Sequence, residues 1–164
     1  MAGLEQLIDY IKNLSFSADD ISYLKETGIF EQEFLDFSEK WYFDRADDFD
    51  EGLAAEQKAL GEILNSNIGI NYKGALIKID GKVVAVTMGS PINSKVFDIH
   101  FEKADADYQT AYAVINREFA LRELGDYEYI NREDDLGIEG LRRAKLSYKP
   151  EILLEKYSMI YKGE

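Results

Sequence analysis

Leu4, Leu7, Ile8 and Ile11 recur at the roughly 3.6-residue period of a helix. A second helical stretch runs around Asp19 to Glu26 and stops at Gly28, and Phe34, Leu35, Phe37 and Trp41 give a third segment an aromatic face. The acidic run DRADDFDE, Asp44 to Glu51, reads as a loop or a helix start, and a fourth helix spans Leu53 to Leu64. At Ile68 the period changes. GALIKID and KVVAVTMG flank Asp80-Gly81, a dipeptide suited to the positive φ of a two-residue hairpin turn. Lys95 to Glu102 alternates, with Phe97, Ile99 and Phe101 on one face and Val96, Asp98, His100 and Glu102 on the other. Tyr108, Tyr112, Ile115 and Phe119 return to helical spacing, with Gly125 as the stop, and the first three read as core. A strand at Tyr127–Asn131, a helix at Asp135–Leu146 capped by Asp134 or Asp135, and a last strand at Lys156–Lys162 complete the order.

Helices, then three adjacent strands, then helix, strand, helix and strand predict an α+β chain. Adjacent strands favour an antiparallel meander, and the strand–helix–strand passages favour parallel neighbours. The expected result is a mixed, mostly antiparallel sheet flanked by helices. It forms a single domain over 1–164, with a helical N-terminal segment over 1–50 and the core over 51–164. This is also the order of the GNAT (acyl-CoA N-acyltransferase) fold.

Composition narrows the chemistry. The chain has 164 residues and no cysteine, which excludes disulfides and thiolate metal sites. The carboxylates of Asp44 to Glu51 lack the positioned glycine turn of a calcium loop, so no metal is expected. No apolar run approaches the roughly 18 residues of a membrane span, and no signal peptide is evident, so a cytoplasmic protein without stable membrane insertion is the default. A formal net charge of −13 argues against a grip on double-stranded nucleic acid, and the same field disfavours a tRNA. It fits an acidic, bacterial-type soluble protein.

Against that acidic background, YINREDDLGIEGLRRAKLSYKP (Tyr129 to Pro150) gathers five cations: Arg132, Arg142, Arg143, Lys145 and Lys149. A strand running into a capped helix presents free N–H groups that suit an anionic small-molecule ligand. Arg132 offers a planar fork for a carboxylate or phosphate, and Glu133 and Asp134 can instead neutralise it from within. Arg142, Arg143 and Lys145 near a helix C-terminus are also favoured by the dipole alone. His100, the only histidine, has Asp98 and Glu102 as neighbours on its strand. An imidazole titrates near neutral pH and suits a base, although a polar residue on the less buried face is the plainer account.

The runs GKVVAVTMGSPINSKVFDIHFEKADADYQTAYAVINREFA, YEYINREDDLGIEGLRRAKLSYKP and EKYSMIY resemble the phosphatidylglycerol lysyltransferase C-terminal-domain-like family. The resemblance covers roughly Phe34 to Tyr161, and HFEKAD and INREDDLGIEGLRRAKLSY are its specific motifs. Members are typically about twice this length, with two GNAT-like halves in tandem, and this chain is similar to the second half. The resemblance implies an acyl donor lying where two central strands splay apart. A coenzyme A thioester would rest its pyrophosphate on a glycine-rich loop. The corresponding stretch, Ala104 to Ala111, has no glycine and carries Asp105 and Asp107, so that phosphate-binding loop is absent.

The resemblance also ranks the residues. Glu102 and Lys103 stand at the expected strand end, where Glu102 can take a proton from an attacking amine or pair with Lys103 or Arg132. Tyr148 falls where many GNAT enzymes keep a tyrosine that protonates the leaving group. Asn131, Arg132, Glu133, Arg142 and Lys145, with Lys103, are the expected ligand-binding set. Two functions follow. One is acyl or aminoacyl transfer to a small amine or lipid-derived acceptor; the other is a non-catalytic ligand-binding or self-assembling module, for example a homodimer, that keeps the fold without the coenzyme A loop.

Overall fold

Asp80 and Gly81 adopt φ of 50° and 77°, the paired left-handed conformations of a type I′ hairpin turn. They join β2 (Lys73–Ile79) to β3 (Lys82–Pro91) in a computed structural model that describes residues 21–23, 28–44, 51–65, 71–108 and 110–162. The helix expected at Leu4–Ile11 lies outside the described residues. The chain divides after Asn131 into two compact units.

The first unit holds β1 (Ile21–Tyr23), α1 (Gly28–Phe43), α2 (Glu51–Asn65), β2, β3, β4 (Val96–Ala104), α3 (Ala111–Glu123) and β5 (Tyr129–Asn131). Among the described residues, its five strands lie in the order β1-β2-β3-β4-β5. The first three pairings are antiparallel and β4–β5 is parallel. The helix expected over Asp19 to Glu26 is contradicted at its centre. Ile21, Ser22 and Tyr23 form a strand paired with Ile77, Leu76 and Ala75, because the edge of β2 offers main-chain partners that outweigh a weak local helical pattern. Gly28 opens α1 rather than ending a helix.

Each face of the sheet has its own core. On one, Phe34 of α1 and Leu60 of α2 bury Leu76, Val86, Met88 and Phe101. On the other, α3 brings Ala111, Val114 and Ile115 onto Ile77, Ala85 and Ala104, and Phe119 onto Ala75, Phe97 and Ile99. Phe97 and Phe119 meet nearly edge-on at 6.0 Å, a geometry worth about 0.5–1.5 kcal/mol beyond area burial. Tyr112, expected in the core, points outward and is exposed, while Tyr108 packs only partly against the second cluster.

The uniform alternation expected along Lys95–Glu102 does not hold. Met88 pairs with Phe101 and Gly89 with Ile99, so His100 has no residue opposite and β4 bulges. The extra residue shifts the pleat. Phe101 joins the α1–α2 core, away from Phe97 and Ile99, and Glu102 turns toward α3, away from Asp98 and His100.

In the second unit the helix expected from Asp135 starts later, as α4 (Glu139–Ser147). Asp134 and Asp135 do not cap it. Their carboxylates accept the N–H groups of Leu136 and Gly137 in two successive Asx turns, with Leu136 and Gly137 left-handed. The chain turns there before it coils. The strand expected at Lys156–Lys162 is likewise not formed: the stretch joins no described strand, and alternation alone cannot make a strand without an edge to join.

Candidate functional site

β5 is only three residues long. Its pairing runs Val96↔Tyr129, Phe97↔Ile130 and Asp98↔Asn131 and then stops, while β4 continues to Ala104. The length of β4 after Asp98 therefore has no β5 partner. Glu102 lies on this stretch, half-buried, and Asn116 of α3 donates its side-chain N–H to Glu102 Oε2 across 3.2 Å. Asn116 is itself buried, and so is Thr87, the register partner of Glu102. A carboxylate is thus held by a fixed amide on the length of β4 that runs beyond β5. Asn131 sits where the two strands part.

Lys103 faces the other way, toward α1 and α2. Its ammonium lies 2.5 Å from Glu56 Oε1 and 4.5 Å from the centre of the Trp41 ring. The same Glu56 oxygen accepts the Tyr42 hydroxyl at 2.7 Å, and burial first, with that bond second, pushes the Tyr42 phenol well above its ordinary range. Lys103 is engaged in tying the strand to both helices.

Within the stretch Ala104 to Ala111, the described groups bond to one another and to Lys82. Asp105 Oδ2 pairs with Lys82 Nζ at 2.7 Å, and Asp105 Oδ1 accepts the Asp107 N–H. The Lys82 bond, followed by that N–H, holds the Asp105 carboxyl below its usual range. The N–H of Tyr108 goes to the Asp105 carbonyl and that of Ala111 to the Tyr108 carbonyl. These amides are occupied, and a carboxylate stands where a pyrophosphate would need positive potential.

The remaining residues of the expected set lie in the second unit, around the turn at 132–137. Arg142 makes a two-pronged contact with Asp135, Nε to Oδ2 at 2.6 Å and Nη2 to Oδ1 at 3.0 Å. That fork, aided by the Gly137 N–H, lowers the Asp135 carboxyl to about 2. Lys145 Nζ donates to the carbonyls of Arg132 and Asp134. The Arg132 guanidinium lies 4.6 Å from the centre of the Tyr148 ring, a cation–π contact. Glu133 is left-handed, at φ 54°. Arg132, Arg142, Lys145 and Tyr148 are therefore gathered by one turn, while Glu102, Lys103 and Asn131 belong to the sheet. Arg143 pairs outward with Glu139 and takes no part.

Ser90 was not among the expected residues. Its hydroxyl lies 2.8 Å from His100 Nε2 across the β3–β4 pair. Only the strand register could have disclosed this, since ten positions separate the two residues.

The family described as phosphatidylglycerol lysyltransferase, C-terminal, matches over residues 12–160. A conserved protein of unknown function from Bacteroides thetaiotaomicron VPI-5482 is 40% identical, with a TM-score of 0.81 over 92% of this chain and 51% of that one. This chain spans about half the length of that relative. Two acetyltransferase structures share the fold at 14% identity. A ribosomal-protein-alanine N-acetyltransferase from Brucella melitensis biovar Abortus 2308 has a TM-score of 0.54, covering 88% of this chain and 98% of its own. An aminoglycoside acetyltransferase from an uncultured soil metagenomic sample has a TM-score of 0.52, covering 89% and 98%. No curated protein matches the sequence.

Proposed function

Because the chain belongs to the phosphatidylglycerol lysyltransferase C-terminal family, and its fold is GNAT-like, we propose that it transfers an acyl or aminoacyl group to a small amine or lipid-derived acceptor, with Glu102 as the base. One observation carries this reading: β4 runs past the end of β5 and presents, on that freed length, a carboxylate steadied by Asn116. Main-chain N–H groups facing the donor carbonyl would hold the oxyanion. The amine nitrogen bonds to the carbonyl carbon, its proton passes to Glu102, and the leaving group departs with its electron pair and takes a proton from water, whose hydroxide then reclaims the proton from Glu102. The closed Ala104–Ala111 loop favours a donor held by its acyl or aminoacyl end over one gripped through a pyrophosphate.

The test is an assay by mass spectrometry of primary amines offered with acyl and aminoacyl donors. Glu102→Gln is expected to lower kcat by roughly 100-fold or more without loss of fold. A Glu102→Gln variant as active as the natural chain overturns the assignment. The same closed loop favours a second reading, a binding module without turnover. Ligand-induced stabilisation in the absence of product from any donor would support it.

A further inference from the structure

The bulge that separates His100 from Glu102 also assembles a second constellation. Ser90 and Asp98 are register partners on β3 and β4, and His100 follows on the same face. The Ser90 hydroxyl is 2.8 Å from His100 Nε2, and the opposite ring nitrogen, Nδ1, is 3.8 Å from Asp98 Oδ2. Accessibility rises outward along the chain of groups, from an Asp98 side chain 13% exposed to a His100 side chain 34% exposed. Gly89 makes this packing feasible. A Cβ there would lie 2.0 Å from the Asp98 carbonyl oxygen and 2.6 Å from Phe97, so no other residue lets the strands close at the bulge.

We propose that Ser90, His100 and Asp98 form a nucleophilic relay in which Ser90 is acylated by an activated ester or thioester. A serine hydroxyl is a weak nucleophile until a base takes its proton, and an imidazole within hydrogen-bond reach is the usual partner. The Ser90 Oγ–carbon bond forms as the bond from that carbon to the leaving group breaks. The hydroxyl proton moves to His100 Nε2 and from there to the leaving group. An amine or water then attacks the acyl-serine, gives its proton to His100, and Oγ leaves and recovers that proton. Asp98 is a positioning residue: its carboxylate, 3.8 Å from Nδ1, orients the ring and balances the imidazolium charge. The relay lies on the α1–α2 side of β4 and Glu102 on the α3 side, so its success or failure is independent of transfer at Glu102.

The test uses the whole chain and p-nitrophenyl acetate. The expected result is a burst of one p-nitrophenolate per chain and a mass gain of one acetyl group, mapped to Ser90 by peptide sequencing. Ser90→Ala abolishes the burst. His100→Gln slows it by roughly 100-fold or more. Asp98→Asn slows the burst without reducing its amplitude, which a merely structural role would not do. Glu102→Gln leaves acetylation of Ser90 intact. Circular dichroism melts establish that each variant is folded. Acetyl groups found only on lysines, or an acyl-imidazole at His100 that persists in Ser90→Ala, overturn the proposal.

Discussion

His100 and Glu102 stand two residues apart on β4 yet serve opposite faces of the sheet. The ring of His100 meets Ser90, whereas the carboxylate of Glu102 meets Asn116 of α3. In a regular strand residues two apart share a face, so the bulge opposite Met88 and Gly89 is what separates them. One strand thereby sends two ionisable side chains to opposite faces of the sheet.

That separation depends on Gly89. Gly89→Ala drives a methyl group into the Asp98 carbonyl and the Phe97 ring, and neither is the free end of a flexible side chain. The expected cost is about 1–3 kcal/mol or more, read as a lower urea midpoint with an unchanged slope. The variant should also lose the contact between Ser90 and His100, visible as a changed imidazole resonance.

The Asn116 amide is the next point of test. Asn116→Ala removes a hydrogen bond to a half-buried carboxylate, and the expected loss is about 1.5–3 kcal/mol of stability. Asn116→Asp should cost more, because it sets a second carboxylate against the first. If both variants melt with the natural chain, Asn116 does not hold Glu102 in solution.

The pattern of apolar positions disclosed α1, α2, the meander and α3, because long periodic segments and an Asp-Gly turn are local signals. The family was legible separately, through the resemblance carried by HFEKAD and INREDDLGIEGLRRAKLSY. The apolar pattern misjudged the pleat around His100, since a bulge belongs to two strands at once and is invisible in either alone. Ile21–Tyr23 misled for a related reason: three residues carry little helical or strand preference, and the open β2 edge decides. The delayed start of α4 follows from the backbone, with Leu136 and Gly137 both left-handed, and Asp134 and Asp135 serve Asx turns as readily as caps. Glu102 could be chosen from its strand position, but its Asn116 partner required the packing of α3.

Asp135 makes a prediction about acid. Its carboxyl is lowered to about 2, first by the Arg142 fork and then by the Gly137 N–H. A folded value below the ordinary one of about 3.9 stabilises the turn above that pH, and the contribution fades as pH falls toward 2. Carbon-13 NMR should find the Asp135 midpoint near 2. Arg142→Ala should return it toward the ordinary value, and a midpoint already ordinary in the natural chain would mean the fork is not made.

The loop before α3 makes the last prediction, and it concerns coenzyme A. A pyrophosphate lying on that helix would have to displace the Asp105 carboxylate from the Asp107 N–H and overcome its negative charge. The N–H groups of Tyr108 and Ala111 would have to leave the carbonyls of Asp105 and Tyr108. Each exchange gives up a bond already made, so the anion gains little net interaction. Millimolar coenzyme A is therefore expected to leave the melting temperature of the natural chain unchanged. Asp105→Ala should not create binding, because it frees the Asp107 amide and leaves those of Tyr108 and Ala111 committed. A clear, saturable rise in melting temperature for the natural chain would show that the loop opens to its ligand, and would return the thioester to the list of donors for Glu102.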